Sequence, residues 1–321
     1  QGSAEPAGSS TAPSASDACA AAKPEHGSRM AWFVDDYAGA LKCAVATKRP
    51  IVMDLWAPWC HTCLSMKTTV FTDAAMAAIA DKFVFVAIDT DREQNTATVA
   101  KYPLSAWPTF YVINPTEQVA GRLVGSATAA QFVAFVQGSQ LAAGPDSVAS
   151  LITQGDQAVT RGDFAAAEPL FAAALQKAPA DFARRPELVL ALLQTKAKRD
   201  DAMGCVTLAI AEAAHMGNAS SASDAMGVAM SCAEQVAKQN EAGAQATTQM
   251  QQVAIATWTK LVDDPKAQLS VDDRSDAMAN LREALEAADK HPDALAIAEK
   301  QRALLDDTAA KAASPLAAST Y

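Results

Sequence analysis

Two cysteines, Cys60 and Cys63, follow at once on a six-residue apolar run, Ile51-Val52-Met53-Asp54-Leu55-Trp56. A run of that length suits a buried strand. The turn-forming Ala57-Pro58-Trp59 comes next, and a helical stretch runs from Cys60 to about Phe71. A cysteine pair at a strand-to-helix junction restricts both the fold and the chemistry. The helix N-terminus presents unpaired N–H groups and a partial positive charge, and both stabilise a thiolate. Cys60 is therefore expected to be the low-pKa, attacking thiol, with Cys63 one turn further in and more shielded as the resolving thiol.

The flanking text alternates short apolar runs with helical ones. Ser28 to Thr47 reads as a helix, with Trp32, Leu41 and Val45 among its apolar positions. Asp73 to Asp81 is a short helix, Phe83 to Ile88 a buried strand, Glu93 to Tyr102 helical and Thr109 to Ile113 a third strand. Asn114 to Glu117 makes a turn, Gln118 to Val124 a fourth strand and Thr128 to Gln140 a closing helix. Such alternation predicts an α/β layer structure with a central sheet flanked by helices. From Ser147 to about Lys311 the pattern is helical throughout. Breaks fall at Gly162-Asp163, Ala178-Pro179, Arg185-Pro186, Gly217-Asn218, Asp264-Pro265 and His291-Pro292. The chain divides into a flexible Pro/Ser/Ala/Gly tether (1–27), an α/β domain (28–140), a linker (141–147), an all-α domain (148–312) and a tail (313–321).

Six cysteines suit three disulfides in an oxidising compartment, although 15 pairings are open. The formal net charge of −10 is uneven: −2 over residues 1–140 and −8 over the rest. Nucleic acid and anionic membrane are not expected partners. With no run of 18 apolar residues, no transmembrane segment is expected. The tether reads as what remains once a targeting segment is removed, which places the chain in the periplasm or outside the cell, with tethering through that segment an open option.

Three readings of the cysteine pair compete. Zinc needs four ligands, and the other cysteines are singles while His26, His215 and His291 are scattered; no metal site is expected. A structural disulfide is the plain alternative. The strand–turn–helix setting favours a redox pair.

Asp54-Leu55-Trp56-Ala57-Pro58-Trp59-Cys60-His61-Thr62-Cys63, followed by Ala106-Trp107-Pro108-Thr109-Phe110, resembles the thioredoxin superfamily. Within it, IVMDLWAPWCHTCLSMKTTVFTDAAMAAI is most similar to the periplasmic thioredoxin-like domains of thiol-disulfide interchange reductases. The resemblance implies an α/β thioredoxin fold over about residues 28–140 and exchange with protein thiols and disulfides, with no bound cofactor. It implies that Asp54 is a buried carboxylate able to take a proton from Cys63. It implies a cis peptide before Pro108, so that the Trp107 backbone pairs with an extended substrate segment. Trp59 would form an apolar docking rim, Trp56 would pack, and Gly125 would lie near the site. The family often places a lysine on the strand beside the carboxylate, and Phe83–Ile88 carries no charge, so Asp54 is either more strongly desolvated or less useful here. His61 either stabilises the thiolate or faces water.

Pairing Cys19 with Cys43 would staple the tether to the first domain, and pairing Cys205 with Cys232 would link neighbouring helices; a second redox pair is the other reading. In the helical half, Gly155, Gly162, Phe164, Ala167, Phe171, Ala174 and Pro179 resemble one tetratricopeptide repeat. That predicts a short helical array with either a partner-binding face or an inert packing role. The expectation is a secreted or periplasmic protein-disulfide oxidoreductase of undetermined direction. A non-catalytic adaptor or chaperone built on the helical half is the competing class.

Overall fold

The computed structural model describes residues 15–25, 28–140, 144 and 146–311. Six strands form one mixed sheet in the order β1-β2-β4-β3-β5-β6: β1 (Lys23–Pro24), β2 (Ala31–Val34), β3 (Ile51–Trp56), β4 (Val84–Asp89), β5 (Thr109–Ile113) and β6 (Val119–Val124). β3 lies parallel to β4 and antiparallel to β5. Strands buried on both faces need near-continuous apolar sequence, and β3, β4 and β5 have it. Their side chains alternate between two cores. Val52, Phe85 and Phe110 face one, with Trp32, Phe71 and Phe132; Met53, Val86 and Tyr111 face the other, with Phe33 and Tyr102. The flanking helices are α1 (Ala15–Cys19), α2 (Tyr37–Thr47), α3 (His61–Ser65), α4 (Thr96–Lys101) and α5 (Ala129–Gly138).

Two expectations need correction. Residues 28–36 are not helical: Ala31–Val34 is a strand paired with Phe85–Ala87. Trp32 and Phe33 point into opposite cores with period two, which a helix would not allow. Asp36 then caps α2, its carboxylate accepting the Gly39 N–H at 2.8 Å, so the helix starts only at Tyr37. The stretch read as tether is also ordered over part of its length. α1 and β1 fold back on the sheet, and a Cys19–Cys43 disulfide, Cα–Cα 4.8 Å, ties α1 to α2. Residues 1–14, the 141–143 part of the linker and the 313–321 tail lie outside the described residues.

The second half is built from α6 (Val148–Thr160), α7 (Phe164–Lys177), α8 (Arg185–Lys198), α9 (Ala202–Glu212), α10 (Ser220–Val236), α11 (Glu241–Asp263), α12 (Val271–Glu286) and α13 (His291–Lys311). A lone backbone bridge, Ala219–Gln268, is its only sheet-like pairing among the described residues. Small residues set the spacing. A Cβ on Gly155 would fall 2.4 Å from the Phe171 ring, so glycine is what lets α6 and α7 close on that phenylalanine. Ala167, Phe171 and Ala174 are fully buried. Helix starts that the break residues did not mark are capped by Asp201 and Asn240, each accepting the N–H of the third helical residue. A Cys205–Cys232 disulfide joins α9 to α10.

The two halves meet along β6. Gln157 of α6 donates to the Val119 carbonyl at 2.8 Å and Thr153 to the Ala120 carbonyl at 3.2 Å. Asp156, buried on the same helix, is pushed up to about 7 by that burial, with Arg122 of β6 pulling the other way. The helical half then returns at its far end: Ser220 donates to the Ser126 carbonyl at 3.2 Å, and Ser126 bonds the Asp273 carboxylate. No helix among the described residues is long and apolar enough to cross a membrane.

Candidate active site

β3 ends at Trp56, and Cys60 sits at the N-cap of α3 in extended backbone geometry. The Cys63 N–H points at the Cys60 sulfur, 3.0 Å away. A helix-terminal N–H aimed at a sulfur stabilises that sulfur as an anion. Cys60 and Cys63 form a disulfide. Cys63 is 1% exposed and Cys60 6%, so the outer sulfur is Cys60. The helix continues through a wider π turn, Met66–Val70.

That wider turn brings a cation inward. Asp54 is 1% exposed on β3, its Oδ1 has no hydrogen-bond partner among the described residues, and burial pushes it up to about 7. The charge that opposes this rise is Lys67, itself buried, with its Nζ 3.1 Å from the centre of the Trp56 ring. Burial lowers the Lys67 pKa, and Asp54 resists that fall. A cavity of about 10 Å³ between Asp54, Lys67, Ser28 and Glu25 has room for roughly one water. The strand lysine is absent as read, but Asp54 does not lack a cation: the helix supplies it. Lys67 follows Cys63 by four residues, one helical turn, and that spacing was the available signal.

An aromatic wall stands beside the pair. Trp59 is 61% exposed and Trp107 37%, and their rings meet edge to face at 5.0 Å. Each indole N–H is anchored, Trp59 to Asp91 at 2.7 Å and Trp107 to Thr90 at 2.8 Å. The Trp107–Pro108 peptide is cis, and the Pro108 carbonyl accepts the Gly125 N–H at 2.9 Å. The Trp107 backbone N–H and C=O make no hydrogen bond among the described residues. Trp56 packs against Cys60 and Cys63.

The helical half reaches this site as well. His61, between the two cysteines and half exposed, pairs through Nδ1 with Asp272 of α12. The Asp272 side chain is fully buried, and burial raises its pKa while His61 and the Thr62 hydroxyl restrain the rise. His61 therefore does not stand free in water but is tied to the helical half. Nothing near Asp272 in the sequence marks it as part of the site, because the contact spans more than 200 residues. Cys19, Cys43, Cys205 and Cys232 lie apart from the site in their own two disulfides. No cluster of potential metal ligands occurs among the described residues.

An anion-stabilised sulfur, a second sulfur bonded to it, a buried carboxyl that titrates near neutrality and an open backbone edge can together exchange a disulfide for two thiols. Residues 36–138 match the thioredoxin family. The chain is 33% identical over 101 residues to a thiol:disulfide interchange protein DsbD of Ralstonia nicotianae, covering 30% of this chain and 17% of that protein. It is 33% identical over 87 residues to a thioredoxin of Echinococcus granulosus, covering 27% of this chain and 76% of that protein. The chain thus spans about a sixth of the length of the interchange protein it matches and three quarters of the thioredoxin. With a mixed sheet, a cysteine pair at the start of a helix and a sequence match over the same residues, the chain belongs to the thioredoxin family.

Proposed function

We propose that the chain is a periplasmic or extracellular protein-disulfide oxidoreductase whose α/β domain, residues 28–140, carries the chemistry and whose helical domain, residues 148–312, helps to recruit partners. The observation that carries this reading is the Cys63 N–H directed at the Cys60 sulfur, in a domain that also buries a near-neutral Asp54 on the preceding strand. In the reduced protein the Cys60 thiolate attacks a substrate disulfide. One substrate sulfur leaves as a thiolate and the other is held as a mixed disulfide. Asp54 takes the Cys63 proton, and the Cys63 thiolate attacks the Cys60 sulfur, which re-forms Cys60–Cys63 and releases the second substrate thiolate. The two leaving thiolates take up the proton held on Asp54 and one from solvent. Two electrons pass to the substrate, and a partner dithiol restores them by the reverse steps. The cis Trp107–Pro108 edge holds the substrate chain by strand addition, and Trp59 supports it. Two further disulfides outside the site support an oxidising compartment.

Replacing Cys63 by Ser tests the reading. The variant should accumulate partners as reductant-sensitive adducts on Cys60, and replacing Cys60 as well should abolish them. An adaptor that merely docks through its helices would show no adducts from the Cys63→Ser chain and would keep its binding when both cysteines are changed.

A further inference from the structure

A crevice of about 520 Å³ separates the α/β half from the helical half. It opens beside the redox pair at Thr62 and Trp107 and runs on past Gly125, which faces Asp224 of α10. Its near wall is the Ser105–Trp107 loop, with the unpaired Trp107 backbone, and the Val124–Ser126 turn. Its far wall is contributed by α8, α10 and α12. The near wall presents backbone, which any extended polypeptide can use. The far wall presents three carboxyl groups, those of Asp224, Asp273 and Asp276, against one lysine, Lys198.

Asp224 and Asp276 both line the crevice and are open to water within it. Neither has an ion-pair partner among the described residues. The enclosing walls, then the carboxylates of Asp273 and Asp276, push Asp224 up to about 8; enclosure, then Asp272 and Asp273, pushes Asp276 up to about 6. Carboxylates so crowded gain most from a cation entering among them. Gly125 keeps the contact close: its φ of +83° suits glycine, and a Cβ there would lie 2.6 Å from the Asp224 carboxylate.

Resting on the oxidoreductase reading, we infer that this crevice receives the extended substrate segment next to the reacting cysteine, and that Asp224 and Asp276 select segments carrying lysine or arginine there. Specificity would then come from the helical half, while the reaction belongs to the other.

The test uses the full chain in its reduced form and glutathionylated cysteine peptides flanked by lysines, serines or glutamates. At low salt the lysine peptide should react on the order of tenfold faster than the glutamate peptide, and the preference should shrink as salt screens it. Asp224→Asn with Asp276→Asn should bring the ratio close to one. Gly227 also lines the crevice, and a Cβ there meets nothing within 4 Å, so Gly227→Lys should be accommodated and reverse the preference. The ratio is the readout, so a general loss of activity does not mimic the result. An unbiased wild type, or a bias that survives both variants, overturns the crevice assignment while leaving the oxidoreductase reading intact. A serine peptide that fails to react at all overturns that reading and the assignment with it.

Discussion

The two halves bury their polar groups differently. In the α/β half, a carboxyl and an amine, Asp54 and Lys67, are buried together and face a space no larger than about one water. In the helical half, Asp272 is buried at a surface shared with the other half, and its partner His61 belongs to that half. The first arrangement can be held by one domain. The second exists only when both halves are docked. The reacting atoms thus depend on local sequence, and their surroundings depend on assembly.

Changes at the cysteines should separate the halves most sharply. Cys60→Ser is expected to reduce thiol-disulfide exchange to background. Replacing Cys205 and Cys232 together should leave exchange intact while lowering stability by about 3 kcal/mol, the loop-closure contribution for a bridge of that span, read by denaturant unfolding. If the helical bridge proves essential for exchange, the division drawn between the halves fails.

Asp54→Asn should slow resolution of the mixed disulfide by on the order of 10²-fold, seen in single-turnover kinetics. Its effect on stability has a defined sign. Burial raises Asp54 in the folded state to about 7, so the folded protein holds that proton more tightly than the unfolded chain does. The stability associated with it is present below about pH 4 and is lost as pH rises through 7. The variant should therefore match the wild type near pH 4 and exceed it above pH 7, by up to about 4 kcal/mol. Equal stabilities at both pH values would show that Asp54 is solvated.

Gly155→Ala should cost about 1–3 kcal/mol, because the new methyl meets Phe171, with no change in exchange rate. The smallest effect is expected from Lys67→Met. Loss of the cation should move the pH midpoint of the resolving step upward, with little change in the maximal rate. A downward move would mean that Lys67 does not face Asp54 electrostatically.

Much of the α/β half was legible because the strands announce themselves as continuous apolar runs and the cysteine motif fixes what surrounds it. Residues 28–36 look helical in sequence because Trp32, Phe33 and Val34 are too few to show period two clearly, and the Asp36 cap is the signal that the helix begins later. Ordering of residues 15–25 was hidden by their composition; a disulfide and a two-residue strand hold them, neither of which periodicity reveals. In the site, Cys60, Cys63, Asp54, Trp107 and Pro108 all lie within motif text. Lys67 was readable only through its helical spacing from Cys63. Asp224, Asp272 and Asp276 belong to ordinary amphipathic helices, and only tertiary packing sets Asp272 against His61 and the other two in the crevice.

The hydrogen bonds from Gln157 and Thr153 to the Val119 and Ala120 carbonyls have a consequence for how the protein can be cut. They occupy two carbonyls at the start of β6, the last strand of the sheet, while the opposite margin ends in a two-residue strand containing Pro24. A fragment stopped near residue 140 would bare a six-residue border to its neighbours, and strand-to-strand association between copies is the expected outcome. The helical half is in this sense a bumper, and biochemistry on the isolated α/β piece should first establish that it stays monomeric.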